Sequence, residues 1–113
     1  MECIFCKIAN GEIPAKLVFE NEHAAAFDDI NPVAKVHTLV VTKKHYENLL
    51  AVGPEDAETL RGLHEAIRET AKLKGVDASG FRLISNCGAD SGQAVPHLHY
   101  HIIGGQPLGQ KIV

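Results

Sequence analysis

The apolar positions between residues 54 and 75 repeat at the spacing of an α-helix. They recur every three or four residues and therefore share one face. The members of this stripe are Ala57, Leu60, Leu63 or His64, Ile67 and Ala71. Pro54 suits the first helical position, and Gly75 suits a helix end. The pattern predicts one long amphipathic helix of about five turns.

Five short segments alternate between apolar and polar residues, as half-buried strands do. They are "KLVFE" (16–20), "AAAFDDI" (24–30), "HTLVVT" (37–42), "GFRLISN" (80–86) and "HLHYHII" (97–103). The opening segment "CIFCKIANG" is compatible with a helical turn or a loop. Because the strand hydrophobicity alternates and does not run unbroken, we expect an α+β fold with the long helix on one face of a mostly antiparallel sheet.

Length and charge narrow the class of protein. A chain of 113 residues is long enough for one domain, spanning 1–113, and too short for two separate cores. Eleven basic and fourteen acidic residues give a net charge of −3, and the basic residues are scattered except for Lys43 and Lys44, which argues against a nucleic-acid or anionic-membrane partner. The amino-terminal segment lacks the pattern of a secretory signal, so we expect a cytoplasmic protein. Three cysteines in that compartment favour metal binding or free thiols over disulfides.

The fifth predicted strand carries three histidines at alternate positions. In a strand, His97, His99 and His101 would share one face about 7 Å apart. Such a row suits a polar solvent face, a metal site or nucleophilic catalysis, since an imidazole with a pKa of about 6.5 is largely neutral at pH 7. The small residues of "NCGADSGQA" (86–94), directly upstream, allow backbone amides to surround an anion, which favours a phosphate facing the histidines.

Several segments together resemble the Hint branch of the histidine-triad (HIT) superfamily, the purine nucleoside phosphoramidases. They are "HLHYHII", "IFCKIANGEIPAKLVFENE", "AFDDINPVAKVHTLVVTKKH", "NCGADSGQAVPH" and "GGQPLG", and they span the chain from about Cys3 to Gly109. The resemblance implies a HIT-like α+β protomer with a five-stranded antiparallel sheet, one long helix and one short helix. It also implies a homodimer with a ten-stranded sheet and a purine nucleotide ligand of the AMP or GMP type.

The same resemblance implies roles for four histidines. His99 would be the nucleophile that attacks the α-phosphorus of a purine nucleoside 5′-phosphoramidate or acyl-nucleotide, and water would hydrolyse the resulting nucleotidyl-histidine. His101 would hydrogen-bond the phosphate. His97 would orient the ring of His99 through its backbone carbonyl, and His37 would support the site.

The resemblance also implies a nucleotide site. Asp29 would hold the ribose hydroxyls. The apolar base pocket would contain Phe5, Ile8, Ile13 and Ile30, residues that composition alone would place in an ordinary core. The phosphate side would contain Asn86, Gly92, Gln93 and Ala94. Many relatives have serine where this chain has Ala94, so we expect nucleotide binding to survive and leaving-group assistance to be reduced.

A zinc site is a further expectation. Cys3 and Cys6 have zinc-ligand spacing, and His45 and His97 would complete the set, as in some bacterial histidine-triad proteins and galactose-1-phosphate uridylyltransferases. Four protein ligands leave no position for substrate water, so the zinc would be structural. The alternative is that the two cysteines are reduced thiols.

Two other functions remain open from the sequence. One is a nucleotide-binding or interaction module with little turnover, a possibility that the alanine at position 94 suggests. The other is a dinucleoside polyphosphate hydrolase or nucleotidylyl transferase, although "GGQPLG" looks more like Hint.

Overall fold

The computed structural model describes residues 3–113, in which five strands form one antiparallel sheet. The elements are α1 (Ile4–Ala9), β1 (Leu17–Glu20), β2 (Ala24–Asp28), β3 (Val36–Thr42), α2 (Ala57–Leu73), β4 (Phe81–Ile84) and β5 (His99–Gly104). The strand order β1-β2-β3-β5-β4 puts β5 between β3 and β4. The predicted α+β architecture of five strands, one long helix and one short helix is confirmed. No helix within residues 3–113 has the length and hydropathy needed to cross a bilayer.

Helix α2 packs on one face of the sheet. Its buried side chains begin at Leu63 and include Ala66, Ile67 and Ala71, which meet sheet residues such as Val40 and Ile102. The predicted stripe is therefore correct in the second half of the helix, whereas Ala57 and Leu60 in the first turns are exposed. The residues from Pro54 to Asp56 form a 3₁₀ turn that precedes the α-helix.

The end of α2 follows the predicted stop signal. Gly75 adopts a left-handed conformation with φ of 73°. Its amide donates to the carbonyl of Lys72 at 3.1 Å, and the amide of Val76 donates to the carbonyl of Ala71 at 3.0 Å. This pair of bonds satisfies carbonyls that a helix end leaves free, and the left-handed residue between them is one that glycine adopts without strain.

Helix α1 covers the opposite face of the sheet. Phe5 and Ala9 of this helix pack against Phe27, Leu39 and Val41. The alanines of β2, on both faces, are fully buried, which lets both helices approach the strand closely. A helix of six residues is too short to be stable alone, so α1 depends on its contacts with the sheet.

One buried polar atom lacks a partner and gives a stability prediction. Within residues 3–113, the Thr70 hydroxyl in α2 is fully buried and makes no hydrogen bond. We expect Thr70→Val to raise the free energy of unfolding by about 1 kcal/mol, because it removes an unsatisfied hydroxyl and keeps the β-branched shape.

Thr38→Val is the matched control for this substitution. Thr38 is equally buried, but its hydroxyl donates to Asp28 Oδ1 at 2.8 Å, so the same change should destabilise the protein. Denaturant unfolding of the two variants measures both effects. A loss of stability for Thr70→Val would show that its hydroxyl has a partner after all.

Candidate active site

Helix α1 contacts His97 and His99 of the row, and His101 lies next to His99. Strand β5 begins at His99, two residues later than the sequence pattern predicts, because the amide of Leu98 donates to the carbonyl of Tyr46 and leaves the ladder. The rings still form a continuous group. Phe5 lies edge-on to His97 and His99, with centroids 5.9 and 5.0 Å away, and His99 and His101 are 5.1 Å apart.

The protein fixes the tautomer of His99. Its Nδ1 lies 2.7 Å from the backbone carbonyl of His97, and a carbonyl can only accept, so Nδ1 carries the proton. In the neutral ring, Nε2 then has the free lone pair. No group within residues 3–113 hydrogen-bonds to Nε2. The Ser85 hydroxyl donates to the carbonyl of His99 at 2.9 Å and holds the strand, a contact that sequence reasoning missed. This arrangement leaves the Nε2 lone pair of His99 available for nucleophilic attack.

The protein fixes the opposite tautomer in His101. The amide of Val33 donates to Nδ1 of His37 at 3.1 Å, so the proton of that ring is on Nε2. This Nε2–H group donates to Nδ1 of His101 at 2.8 Å. Asp29 Oδ2 lies 3.4 Å from the same Nε2 atom of His37. His101 must then carry its own proton on Nε2. The site presents one imidazole with a lone pair and its neighbour with a donor, which is the pairing that attack at phosphorus requires.

The protonation of His101 couples to stability. Burial lowers the pKa of His101, the nearby His99 and His37 lower it further, and Asp29 partly opposes them. Below a pH of about 6.5 the unfolded chain binds a proton at this position more readily than the folded chain does. The contribution of neutral His101 to the free energy of unfolding is therefore fully present above that pH, and it is lost as the pH falls through the pKa of His101 in the folded protein.

We expect the unfolding free energy of the parent protein to fall more between pH 7 and pH 5 than that of His101→Gln. The variant has no titrating group at this position, whereas the lowered pKa of His97, also caused mainly by burial, is common to both proteins. Parallel denaturant titrations at the two pH values make the comparison. Equal losses would show that His101 titrates alike in the folded and unfolded states.

A cleft of about 800 Å³ lies beside α1, at the end of β2. Of the predicted pocket residues, it brings together Phe5, Ile8, Asp29 and Ile30. Ile13 instead lines an adjoining pocket of about 490 Å³, which shares Ile8 with the cleft. The charged residues Lys16, Asp28 and Lys74 also line the cleft and had no signal in the sequence pattern.

Two hydrogen bonds hold Asp29 at the cleft. Its backbone amide donates to the carbonyl of His37 at 2.9 Å, and its Oδ1 accepts from the amide of Asn31 at 2.8 Å. Oδ2, which lies beside His37 Nε2, keeps acceptor capacity that could serve ligand hydroxyls.

The predicted phosphate loop is braced by Gln93. Its Oε1 accepts from the amide of Gly88 at 2.9 Å, and its Nε2 donates to the carbonyls of Glu47 and Val95 at 2.8 and 3.0 Å. The side chain therefore shapes the loop from within. Gly92 has φ of 83°, which favours glycine at that turn. Asn86 is half-buried and Ala94 is exposed on the same segment.

The four predicted metal ligands converge at the amino-terminal side of the row. The Sγ atom of Cys3 lies 3.2 Å from His97 Nδ1, and that of Cys6 lies 3.2 Å from His45 Nδ1 and 3.4 Å from His97 Nδ1. Sulfur and nitrogen ligands of one tetrahedral zinc ion are separated by about 3.5 Å. The Nε2 of His97 donates to the carbonyl of Thr42 at 2.8 Å, which leaves Nδ1 free to coordinate. The residues fit a metal ion.

The protonation of the thiols in this cysteine–histidine cluster would respond to a cation. Burial, together with a hydrogen bond and the charge of the neighbouring Cys3, raises the pKa of Cys6 to about 11. A bound cation would oppose this increase, because thiolates are the form that coordinates metals.

A second group, formed by Asp29, His37 and His101, has its donor atoms within 4.8 Å of one another. The hydrogen bonds of this group do not suit a metal. A metal on Nε2 of His37 would require a proton on Nδ1, but Nδ1 already accepts from the amide of Val33. We therefore interpret these residues as a hydrogen-bonded relay.

Comparison with known proteins shows the family to which the chain belongs. The HIT domain model matches residues 10–108. A histidine triad protein of Clostridium difficile has 51% identity and a TM-score of 0.91, over 98% of this chain and 96% of that one. A HIT family hydrolase of Clostridium thermocellum has 42% identity and a TM-score of 0.93, over 99% of this chain and 97% of that one. The protein HitA of Neisseria gonorrhoeae is 43% identical over 90% of this chain and 94% of its own. Since the family model covers most of the chain and these likenesses extend along nearly all of it, the chain belongs to the HIT family.

Proposed function

We propose that the protein is a nucleotide-binding hydrolase that cleaves purine nucleoside 5′-phosphoramidates and acyl-nucleotides to nucleoside monophosphates. The observation that carries the proposal is the opposite tautomers of His99 and His101. One ring presents a lone pair and the next presents an N–H group, 5.1 Å away between centroids. The HIT family hydrolase of C. thermocellum supports the reaction class by likeness.

The reaction proceeds in two displacements at phosphorus. Nε2 of His99 attacks the α-phosphorus, and the bond from phosphorus to the amine nitrogen or acyl oxygen breaks. An amine leaves with a proton taken from solvent water, whereas an acyl group leaves as its carboxylate. The carbonyl of His97 stabilises the positive charge that develops on the ring, because it accepts from Nδ1–H. The N–H group of His101 donates to a phosphoryl oxygen. Water then attacks the nucleotidyl-His99 intermediate and releases the monophosphate.

The cleft supplies the nucleoside half of the site. Phe5, Ile8 and Ile30 offer apolar contacts to a purine base, and Asp29 accepts from the ribose hydroxyls. Its volume of about 800 Å³ is in the range of small-molecule sites. On the phosphate side, Ala94 offers its backbone amide, and Asn86 lies on the same segment. The amides of Gly92 and Gln93 already donate to the carbonyls of Ala89 and Gly88, so these two residues shape the loop. Because Ala94 has no hydroxyl, the leaving group gains no help from that position.

We propose zinc as the ion of the cysteine–histidine cluster. Thiolate and imidazole ligands in a tetrahedral set suit zinc, and with all four positions taken by protein the ion stabilises structure and does not activate water.

We also propose that two chains form a homodimer across β4. This strand is at an edge of the sheet and presents the apolar side chains of Phe81 and Leu83 to solvent. An exposed apolar edge strand is suited to pairing with a second copy, which would continue the sheet to ten strands.

Turnover assays on three substrates test the function. We expect adenosine and guanosine 5′-phosphoramidates to be hydrolysed at higher kcat/KM than a diadenosine polyphosphate. The reverse order would favour a dinucleoside polyphosphate hydrolase.

A second outcome is specifically favoured by Ala94. Tight binding of AMP or GMP without turnover of any of the three substrates would identify a binding module. Ala94→Ser separates the two cases, because restoring a hydroxyl should raise turnover in an enzyme and leave monophosphate affinity nearly unchanged.

A further inference from the structure

Helix α1 joins the cysteine–histidine cluster to the nucleotide cleft. Cys3 at its N-cap and Cys6 in its first turn contribute the two sulfurs of the cluster. On the same six-residue helix, Ile4, Phe5 and Ile8 line the cleft. Since so short a helix needs external anchors, whatever holds the two sulfurs also holds one wall of the cleft.

Phe5 carries this connection to the nucleophile. It is placed between the two cysteines in sequence and is only 8% exposed. Its ring meets His99 edge-on at 5.0 Å and also contacts Phe27 at 5.8 Å. A shift of α1 would therefore release the contact that holds the His99 imidazole on this side.

His97 provides a second, independent connection. Its Nδ1 faces both sulfurs of the cluster, whereas its carbonyl accepts from Nδ1 of His99. The Thr42 carbonyl fixes the other ring nitrogen of His97. The cluster thus reaches His99 through the peptide backbone as well as through Phe5.

We propose that the cluster, when it holds a metal ion, positions Phe5 and His99, so that metal loading sets the nucleotide affinity of the cleft. This inference rests on the proposed nucleotide function. A bound ion would only anchor Cys3, Cys6, His45 and His97 to one another, and the chain itself would position Phe5 and His99. By linkage, nucleotide binding must strengthen metal binding by the same factor that metal binding strengthens nucleotide binding.

Calorimetric titration of the full chain with AMP and with GMP tests the coupling. The titrations compare zinc-loaded protein, chelator-treated protein and His45→Ala. His45 lies at the surface and is absent from the cleft, so its loss weakens the metal site without removing a nucleotide contact. We expect nucleotide affinity to fall at least about tenfold in both metal-depleted forms. His64→Ala, an exposed histidine on α2, is the matched control and should bind as the parent does.

The outcomes separate the inference from the function on which it rests. Equal AMP and GMP affinities in loaded and depleted protein, with circular dichroism showing both folded, would overturn the coupling and leave the hydrolase proposal standing. Failure of the zinc-loaded protein to bind either nucleotide would overturn both proposals.

Phe5→Leu keeps the test decisive if depleted protein unfolds. This variant retains all four ligands, so zinc should bind at the parent stoichiometry. NMR spectra recorded without nucleotide should then show that the Nδ1–H proton of His99 exchanges with solvent faster than in the parent, because the ring has lost its edge-on contact and is held less firmly against the His97 carbonyl. Exchange at the parental rate would show that Phe5 does not position the ring and would overturn the inference.

Discussion

His99→Ala is expected to abolish the covalent nucleotidyl intermediate and to lower kcat/KM for adenosine 5′-phosphoramidate by roughly 10⁴-fold or more, as the loss of a nucleophile does in other covalent hydrolases. The reason is specific to this site. His99 alone combines an Nδ1–H group committed to the His97 carbonyl with an Nε2 atom that makes no hydrogen bond within residues 3–113. Intact-mass measurement of protein quenched in alkaline denaturant detects the adduct, because a bond from phosphorus to imidazole is labile in acid.

The same variant should bind AMP within a few-fold of the parent, since the base and ribose contacts lie in the cleft formed with Phe5, Ile8 and Asp29. The loss would then appear in kcat and not in affinity. His64→Ala serves again as the control histidine, because it lies exposed on α2. An adduct that forms on His99→Ala at the parental rate would show that the nucleophile is a residue other than His99.

Much of the fold was predictable because it depends on side-chain periodicity. Alternation in the segment 97–103 placed the histidine row on one face. The rings of His99 and His101 are in contact, and Phe5 contacts both His97 and His99. The period of three to four residues predicted α2. The errors were at element ends. The amide of Leu98 bonds to the carbonyl of Tyr46 and not to a neighbouring strand, and a 3₁₀ turn precedes Ala57. Both features depend on tertiary contacts that a local sequence pattern does not contain.

The protonation of the site histidines was less predictable than the identity of the residues that form the site. The tautomers of the histidines are set by backbone groups, namely the amide of Val33 and the carbonyls of Thr42 and His97. Every residue carries such groups, so side-chain identity gives no signal for them. Likewise, the position of Ile13 in the adjoining pocket depends on how the segment after α1 turns.

Replacing His37 is expected to lower kcat by about 100-fold in His37→Ala while leaving the His99 adduct detectable, in keeping with the usual contribution of one acid–base or donor group. His37 does not carry the nucleophile. Its Nε2–H group, 2.8 Å from Nδ1 of His101, determines which nitrogen of His101 keeps a proton for the phosphoryl oxygen. Without it, His101 is free to place the proton on Nδ1 and to present a lone pair to the phosphate, which repels the developing negative charge.

His37→Gln is the matched variant that distinguishes this positioning role from loss of packing. A glutamine amide can donate to His101 Nδ1 as the imidazole does, so this variant should recover much of the lost kcat, whereas a purely structural role would leave both variants equally impaired. Imidazole ¹⁵N spectra provide the independent measurement: His101 should remain protonated at Nε2 in the parent and in His37→Gln and should become a mixture of tautomers in His37→Ala. A single Nε2–H tautomer in His37→Ala would show that the relay does not set the protonation of His101.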